Sequence, residues 1–588
     1  MPKGLDLDKL KQWFSDSESA SFDSRALSEK DRDYLDGNQL TSEEIAELKS
    51  RGQPIVVMNR IRSKVNWMRG LEMQRRTDPK GFARQGTDQQ GADAMTDAMR
   101  FVVDNTKFTG IRSKVWDNML IEGFGGAEVV HVQKRERVEV AINHYHWDRL
   151  FADPHSREMD FSDARYKGIV VWNDVEELRH EFGLDAVGED ELVATSESLT
   201  SDTFDDKPRD NVFLSRDRKR ARLILMYYRH KGDWWWARFT GSKILKEGKS
   251  QYLGESGETI CPLVMQSLYV DRNNNRYGMV RDFISPQDEI NKRRSKALWQ
   301  SIVNQTLGDK GAVDSVDKLK KEMARADGHI ELSPDKRFEI IPAGDRVSAH
   351  LALLQEAKSE IDGMASNAVL EGEAGESSSG RAVLARQQGG LVEIAPPFDA
   401  LGNFNLNIYT HIWWMVKQTW TEERWIRVTD DERNTRFVGI NRPFTVRDQL
   451  QELPQEQAVQ FARQEELRPD DPRLSEVIET RNKVEEIDID VTIEDVPDTM
   501  TVRGETFDAL VALAPTTPPN VQLTLYELLI ESAPLRADVR DRLIKGMRDS
   551  QQQSAQLDQA EREATVIKSV AESVIAEKEA KAPLDQAS

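Results

Sequence analysis

Two helical stretches separated by a small polar insert, within residues 283–380, leave this chain the least freedom of fold. The first, 286–299 (PQDEINKRRSKALW), is net basic; the second, 348–367, is net acidic. Ile290, Ala297, Leu298, Ser301 and Ile302 share one stripe of the first, with Lys292, Arg293, Lys296 and Gln300 opposite. In the second, Leu351, Leu354, Ala357, Ile361 and Met364 point inward, and Glu356, Glu360 and Asp362 point out. Asp288 with Lys292 and Glu289 with Arg293 are favourably ordered i,i+4 pairs, each worth only about 0.2–0.5 kcal/mol. The insert carries a helix over 314–325 and strands at 328–332 and 338–341. The whole is therefore a hairpin with a small domain at its tip. By charge alone, it reads as two complementary solvated faces. The segment 371–380 (EGEAGESSSG) comes next, too polar and too rich in Gly and Ser to pack, and is expected to be a mobile loop.

A chain of 588 residues has room for several domains, and its 31% charged residues suit a wet, heavily charged surface. No apolar run reaches the roughly 18 residues needed to span a bilayer, and the first residues are not followed by a signal-peptide core. A soluble, non-secreted protein is expected, with no membrane partner. The single cysteine, Cys261, excludes an intrachain disulfide framework and a cysteine-based zinc site. A net charge of −21 disfavours wrapping nucleic acid, which needs clustered Lys and Arg, yet an acidic wall suits a protein that lets DNA pass without sticking.

Along the chain, 6–49 is polar and helical, with caps at Ser28 and Thr41, and a helix is expected over 55–73. A loop at 81–91 precedes helices at 92–108 and 111–122. Strands are expected at 127–132, 138–147, 169–173, 220–230 and 234–240, and 188–210 reads as an exposed acidic loop. Gly389–Gly390 and Pro396–Pro397 should kink or interrupt the helix beyond 388. The stretch 398–420, with Phe404, Tyr409, Trp413, Trp414 and Trp420, is a long helix with a large buried contact. A hairpin at 425–440 and a strand at 486–494 come next, then short helices at 504–513, 524–533 and 536–548. Leu557, Ala560, Ala564, Ile567, Ala571 and Val574 keep a 4-3 alternation. That seam fits either self-assembly or a helix lying on its own domain.

No catalytic motif survives inspection. Gly123-Phe124-Gly125-Gly126 comes after a helix instead of a strand, and reads as a helix cap and turn more readily than as a phosphate cradle. Gly248-Lys249-Ser250 has the wrong upstream spacing for a phosphate loop and no helix after it. His144, His146 and Asp148, on or after one strand, offer a metal-dependent hydrolase as an alternative function. No cofactor and no enzymatic activity are expected.

Five segments in a fixed order resemble the portal proteins of tailed bacteriophages, the podovirus-type head-to-tail connectors: 32–39 (RDYLDGNQ), 153–155 (DPH), 160–165 (DFSDAR), 277–282 (YGMVRD) and 287–292 (QDEINK). The resemblance covers most of 33–443. It implies an α+β, mainly helical portal fold assembling into a ring, usually of twelve subunits. Its parts would be a wing (1–282), a stem helix (283–304), a clip (305–347), a second stem helix (348–367) and a tunnel loop (368–380). A returning wing segment (381–500) and a crown with a C-terminal barrel helix (501–588) would complete it. Implied stem residues are Lys292, Arg293, Lys296, Glu356, Glu360 and Asp362; implied tunnel-loop residues are Glu371, Glu373, Glu376, Ser377 and Ser378. The implied function is a channel at one capsid vertex for packaging and ejecting double-stranded DNA, in a virion assembled in the host cytoplasm. Implied partners are the terminase large subunit, head-tail adaptor and tail proteins, the capsid and a scaffolding protein. A non-channel scaffold or adaptor is the structural alternative.

Overall fold

The computed structural model describes residues 4–74, 77–84, 89–134, 137–183, 220–302, 305–323, 325, 327–341, 344–365, 394–429, 435–453, 461, 471–495, 510–512 and 522–532. The chain divides into two units. One comprises 1–73, 77–429 and 435–494; the other comprises 74–76, 430–434 and 495–588.

In the first unit, α1 (Leu7–Asp36) ends at Gly37 in an αL cap, and α2 (Ser42–Ser50) begins with the Thr41–Glu44 capping box. The third helix, α3, spans Ile61–Gln74, so 55–60 do not join it as expected. The 81–91 loop is also displaced, because β1 (Thr77–Ala83) pairs with a strand some 400 residues later. Helices α4 (Gln89–Thr106) and α5 (Phe108–Ile121) form an amphipathic pair after it. Next come β2 (Phe124–Lys134), β3 (Arg137–Tyr145), β4 (Leu150–Ala152), β5 (Tyr166–Asp174) and the short helix α6 (Val175–Phe182). Strands β6 (Arg220–His230), β7 (Asp233–Phe239), β8 (Ile244–Lys249) and β9 (Leu263–Ser267) complete two antiparallel sheets, β3-β2-β9 and β4-β5-β6-β7-β8.

Period-two alternation explains how these sheets stack. Ile224, Met226 and Tyr228 of β6 pack with Leu10 and Phe14 of α1, while Leu225 and Tyr227 pack with Leu263 and Met265 of β9. A strand covered on both faces reads as the continuous apolar run LILMYY.

A short ribbon of β10 (Tyr269–Val270) and β11 (Arg276–Tyr277) leads into α7 (Val280–Ile302). The insert holds β12 (Gln305–Gly308), α8 (Val316–Met323) and β13 (Phe338–Ile341); β12 and β13 pair antiparallel, with Leu307 opposite Glu339. Residues 328–332, expected as a strand, have no regular structure. Helix α9 (Gly344–Ala365) returns and packs on α7. Then α10 (Ala395–Thr419) crosses the core. Pro396 and Pro397 occupy its first turn, where a missing N–H costs nothing, so they start the helix instead of kinking it. Phe404, Ile408, Ile412 and Val416 are fully buried, and Phe404 and Tyr409 meet Phe108 of α5 at 6.4 and 5.7 Å between ring centres.

The remaining elements are β14 (Arg424–Thr429), β15 (Thr435–Ile440), β16 (Arg442–Thr445), α11 (Val446–Glu452), β17 (Val477–Arg481) and β18 (Ile489–Asp495). The β14–β15 hairpin stands where expected, and β18 is the partner of β1. In the second unit, α12 (Gln522–Ser532) buries Leu525. The heptad seam from Leu557 to Val574 lies outside the described residues.

Two glycines join α7 to this body. Gly123 caps α5 with φ 98°, and a Cβ there would sit 2.3 Å from the backbone of Tyr277. A Cβ on Gly278 would meet the carbonyl oxygens of Leu120 and Ile121 at 2.4 Å, while Met279 N–H donates to Leu120 O at 2.9 Å. Gly123 is thus a cap with a close backbone contact, and Gly125 and Gly126 lie within β2, so the phosphate-cradle alternative does not hold. Gly278→Ala is expected to destabilise the protein by about 1–3 kcal/mol through overpacking against backbone. An unchanged urea midpoint would contradict this contact.

Candidate functional site: a helical hairpin rooted in the core

Among the described residues, the hairpin is rooted at one end. Val280, Phe283 and Ile290 of α7 and Leu354, Ala357 and Ile361 of α9 belong to one apolar cluster with Phe404, Ile408 and Ile412 of α10. Burying each large side chain contributes about 1.5–3 kcal/mol. The expected ion pairs are far smaller, so burial sets the geometry. Toward the tip the cover thins: Ala297 is buried and Leu298 half-buried, but Ser301 is exposed and Leu351 is 44% exposed. The inward placement expected for Leu351 fails because this half of the hairpin extends past the cluster. Helix α7 also begins six residues before Pro286, at the Gly278 joint.

A buried polar ladder shares the root, and no apolar-pattern reading reveals it. Gln287, Asn291 and Ser295 recur every fourth residue and are buried. Gln287 donates to Met58 O at 2.7 Å and accepts from Arg60 N–H at 3.0 Å; Asn291 accepts from Met58 N–H at 2.9 Å; Ser295 donates to Pro54 O at 2.6 Å. These side chains satisfy the backbone of 54–60, which explains why that segment is not helical. Asn291 also donates to Gln39 at 2.6 Å, and Tyr34 donates to Asp288 at 2.7 Å. Asp288 therefore serves Tyr34 in place of the expected Lys292 pair, whereas Glu289 and Arg293 pair at 3.0 Å.

Among the described residues, the charges on α7 and α9 divide into unpaired and paired. Lys292, Lys296, Glu356 and Glu360 are exposed and make no ion pair among the described residues. Asp362, 54% exposed, is held by Arg60 at 2.6 Å and approached by Lys64 at 3.9 Å. Arg293 faces His350, whose pKa burial, Lys296 and Arg293 together hold below its ordinary value. The tip exposes Leu307, Val316, Leu332 and Ile340. Glu371, Glu373, Glu376, Ser377 and Ser378 lie outside the described residues.

The segments that carried the resemblance converge on the entrance to α7. Asp163 accepts from the Ser156 hydroxyl and the Arg157 N–H, folding 153–165 into a tight loop. Asn274 and Arg276 donate to carbonyls of that loop, fixing the strand before α7. Residues 31–39 supply Asp31 to Arg281, Arg32 to Glu122, and Tyr34 and Gln39 to α7.

His144, His146 and Asp148 do not assemble a metal centre. His146 Nδ1 meets Asp148 at 2.8 Å, but His144 Nε2 lies 3.4 Å from Asn118, and burial lowers its pKa to about 4. Among the described residues, no three His, Cys, Asp or Glu are grouped to hold a metal. Gly248 and Lys249 end β8, and Lys249 is paired with Asp233 at 2.8 Å.

Two buried acids flank the α7 entrance. Burial lifts Asp31 to about 7 against the pull of Arg281 and Lys30, with Asp282 adding to the rise. Burial likewise lifts Glu122 to about 8 against Arg32, with Asp117 adding to the rise. Unfolded carboxylates titrate near 4. The folded state thus holds protons that the unfolded chain has released, and the associated stability, full below about pH 4, is lost as pH rises through 7–8. The urea midpoint is expected to fall from about pH 5 to about pH 9, with Asp31→Asn flattening the slope. A midpoint that rises over this window would contradict the assignment.

A family model for Phage P22-like portal proteins matches residues 11–586. A curated portal protein of Helicobacter pylori bacteriophage KHP30 is 21% identical over 432 residues, covering 69% of this chain and 66% of the relative, just under two thirds of its length. The match over nearly the whole length places this chain in the phage P22-like portal protein family.

Proposed function

We propose that copies of this chain close into a ring at one capsid vertex and conduct double-stranded DNA during packaging and ejection. Helices α7 and α9 are the stem, the insert between them is the clip, and the first unit apart from the hairpin is the wing. The reading rests on family membership together with one observation, a set of hairpin charges that make no ion pair among the described residues: Lys292 and Lys296 on one helix, Glu356 and Glu360 on the other.

In a ring, α7 of one copy lies beside α9 of the next, and these charges pair across the contact. Each exposed pair contributes only about 0.2–1 kcal/mol, but a closed ring repeats it at every interface. The exposed apolar residues of the tip, Leu307, Val316, Leu332 and Ile340, suit a partner that docks and leaves, first the terminase and later a head-tail adaptor. The acidic segment with Glu371, Glu373 and Glu376 is the tunnel loop, and Leu557 to Val574 is the barrel seam; both assignments rest on sequence. The overall charge of −21 disfavours tight binding of the passing duplex. The chain acts as a conduit and docking ring, without catalysis.

Lys292→Glu with Lys296→Glu is expected to block ring closure, and adding Glu356→Lys with Glu360→Lys to restore it, read by native mass spectrometry. Rings that form equally well in the first variant would refute the pairing. Replacing Glu371, Glu373 and Glu376 with Gln is expected to leave rings intact while changing DNA retention in a packaging reaction. Failure of that triple variant to assemble would refute the tunnel-loop role.

A further inference from the structure

The five-stranded sheet carries a second charged feature, remote in sequence from the hairpin. Where β6 turns into β7, Arg165, Arg229 and Lys231 line a cleft of about 510 Å³ floored by Trp234, with Glu258 as its one acidic lining residue. All three cations are exposed, and none makes an ion pair among the described residues. On a chain with net charge −21, the cleft thus gathers three exposed cations against a single acidic lining residue.

The arginines are held in place without being neutralised. The Arg165 guanidinium lies 5.4 Å from the Trp13 ring and the Arg229 guanidinium 5.0 Å from the Trp234 ring; Arg229 also donates to Ser162 O at 3.0 Å. A guanidinium stacked on an indole keeps N–H groups at its edge for a carboxylate, and less side-chain entropy remains to be lost on binding. Lys231 sits at the tip of the two-residue turn with φ 53°, next to Gly232 at φ 91°. Such turns favour Asn or Gly at that position, so a lysine there is conformationally costly.

We propose that this cleft binds an acidic peptide segment of a protein partner, with its carboxylates on Arg165, Arg229 and Lys231. Two observations favour a peptide over nucleic acid. Trp234 is only 8% exposed and already carries Arg229, so it offers no platform on which a base could stack. The negative charge of the whole chain also repels a long polyanion more than a short acidic segment. This inference stands independently of the portal reading.

The test uses the full-length protein and a fluorescein-labelled hexaglutamate peptide. Anisotropy should show saturable, salt-sensitive binding, weakened at least tenfold by Lys231→Glu combined with Arg165→Gln. Zero-length carbodiimide crosslinking followed by peptide mapping should place the peptide on Lys231. Lys231→Glu alone, whose side chain supports no fold contact, should weaken binding with an unchanged melting temperature. Unchanged affinity in these variants, or crosslinks confined to other lysines, would overturn the proposal. So would a labelled oligothymidine that binds more tightly than the peptide with the same dependence on Lys231.

Discussion

The apolar cluster shared by α7, α9 and α10 is the constraint on which the rest of this structure depends. Ile290 and Ile361 are fully buried within it, as are Phe404 and Ile408. Removing a large side chain from such a site costs about 2–5 kcal/mol, against a few tenths for an exposed i,i+4 pair. The cluster thus fixes where the hairpin begins and how its helices are rotated. Its members nearest the tip are Ile290 on α7 and Leu354 on α9, and toward the tip the helices carry charge and partly exposed apolar groups. A hairpin built this way has one end fixed by the core and one end that is uncovered among the described residues.

Polar contacts refine the root without driving it. The ladder of Gln287, Asn291 and Ser295 satisfies the part-buried backbone of 54–60, each bond contributing about 0.5–1.5 kcal/mol. The Asp31–Arg281 and Arg32–Glu122 contacts fasten α1 to the same place. Burial raises both carboxyls into the neutral range, so the desolvation of these acids offsets much of what the ion pairs contribute.

Much of this was legible from residue patterns. The aromatic helix at α10, the 425–440 hairpin and the helix–insert–helix order all arise from periodicity over segments long enough to be unambiguous. The features that escaped the patterns depended on distant partners. TDPKGFA does not read as a strand until β18 is beside it, and 55–60 looks helical until the α7 side chains claim its backbone. Leu351 fits the apolar stripe of α9, but no helical period states how far the core extends. The buried Gln–Asn–Ser ladder was hidden because polar residues on a helix are read as exposed. The segments resembling portal proteins were legible as a series before their physical role was: they are the residues that hold the entrance to α7.

The central claim is that the uncovered half of the hairpin is completed by neighbouring copies around a bore. Electron cryomicroscopy of the assembled full-length protein tests it most directly. The account predicts a closed ring, wide enough for duplex DNA, in which α7 of one copy touches α9 of the next and Lys292 and Lys296 approach Glu356 and Glu360. A closed assembly in which the hairpins point away from one another, with these four side chains still in solvent, would contradict it.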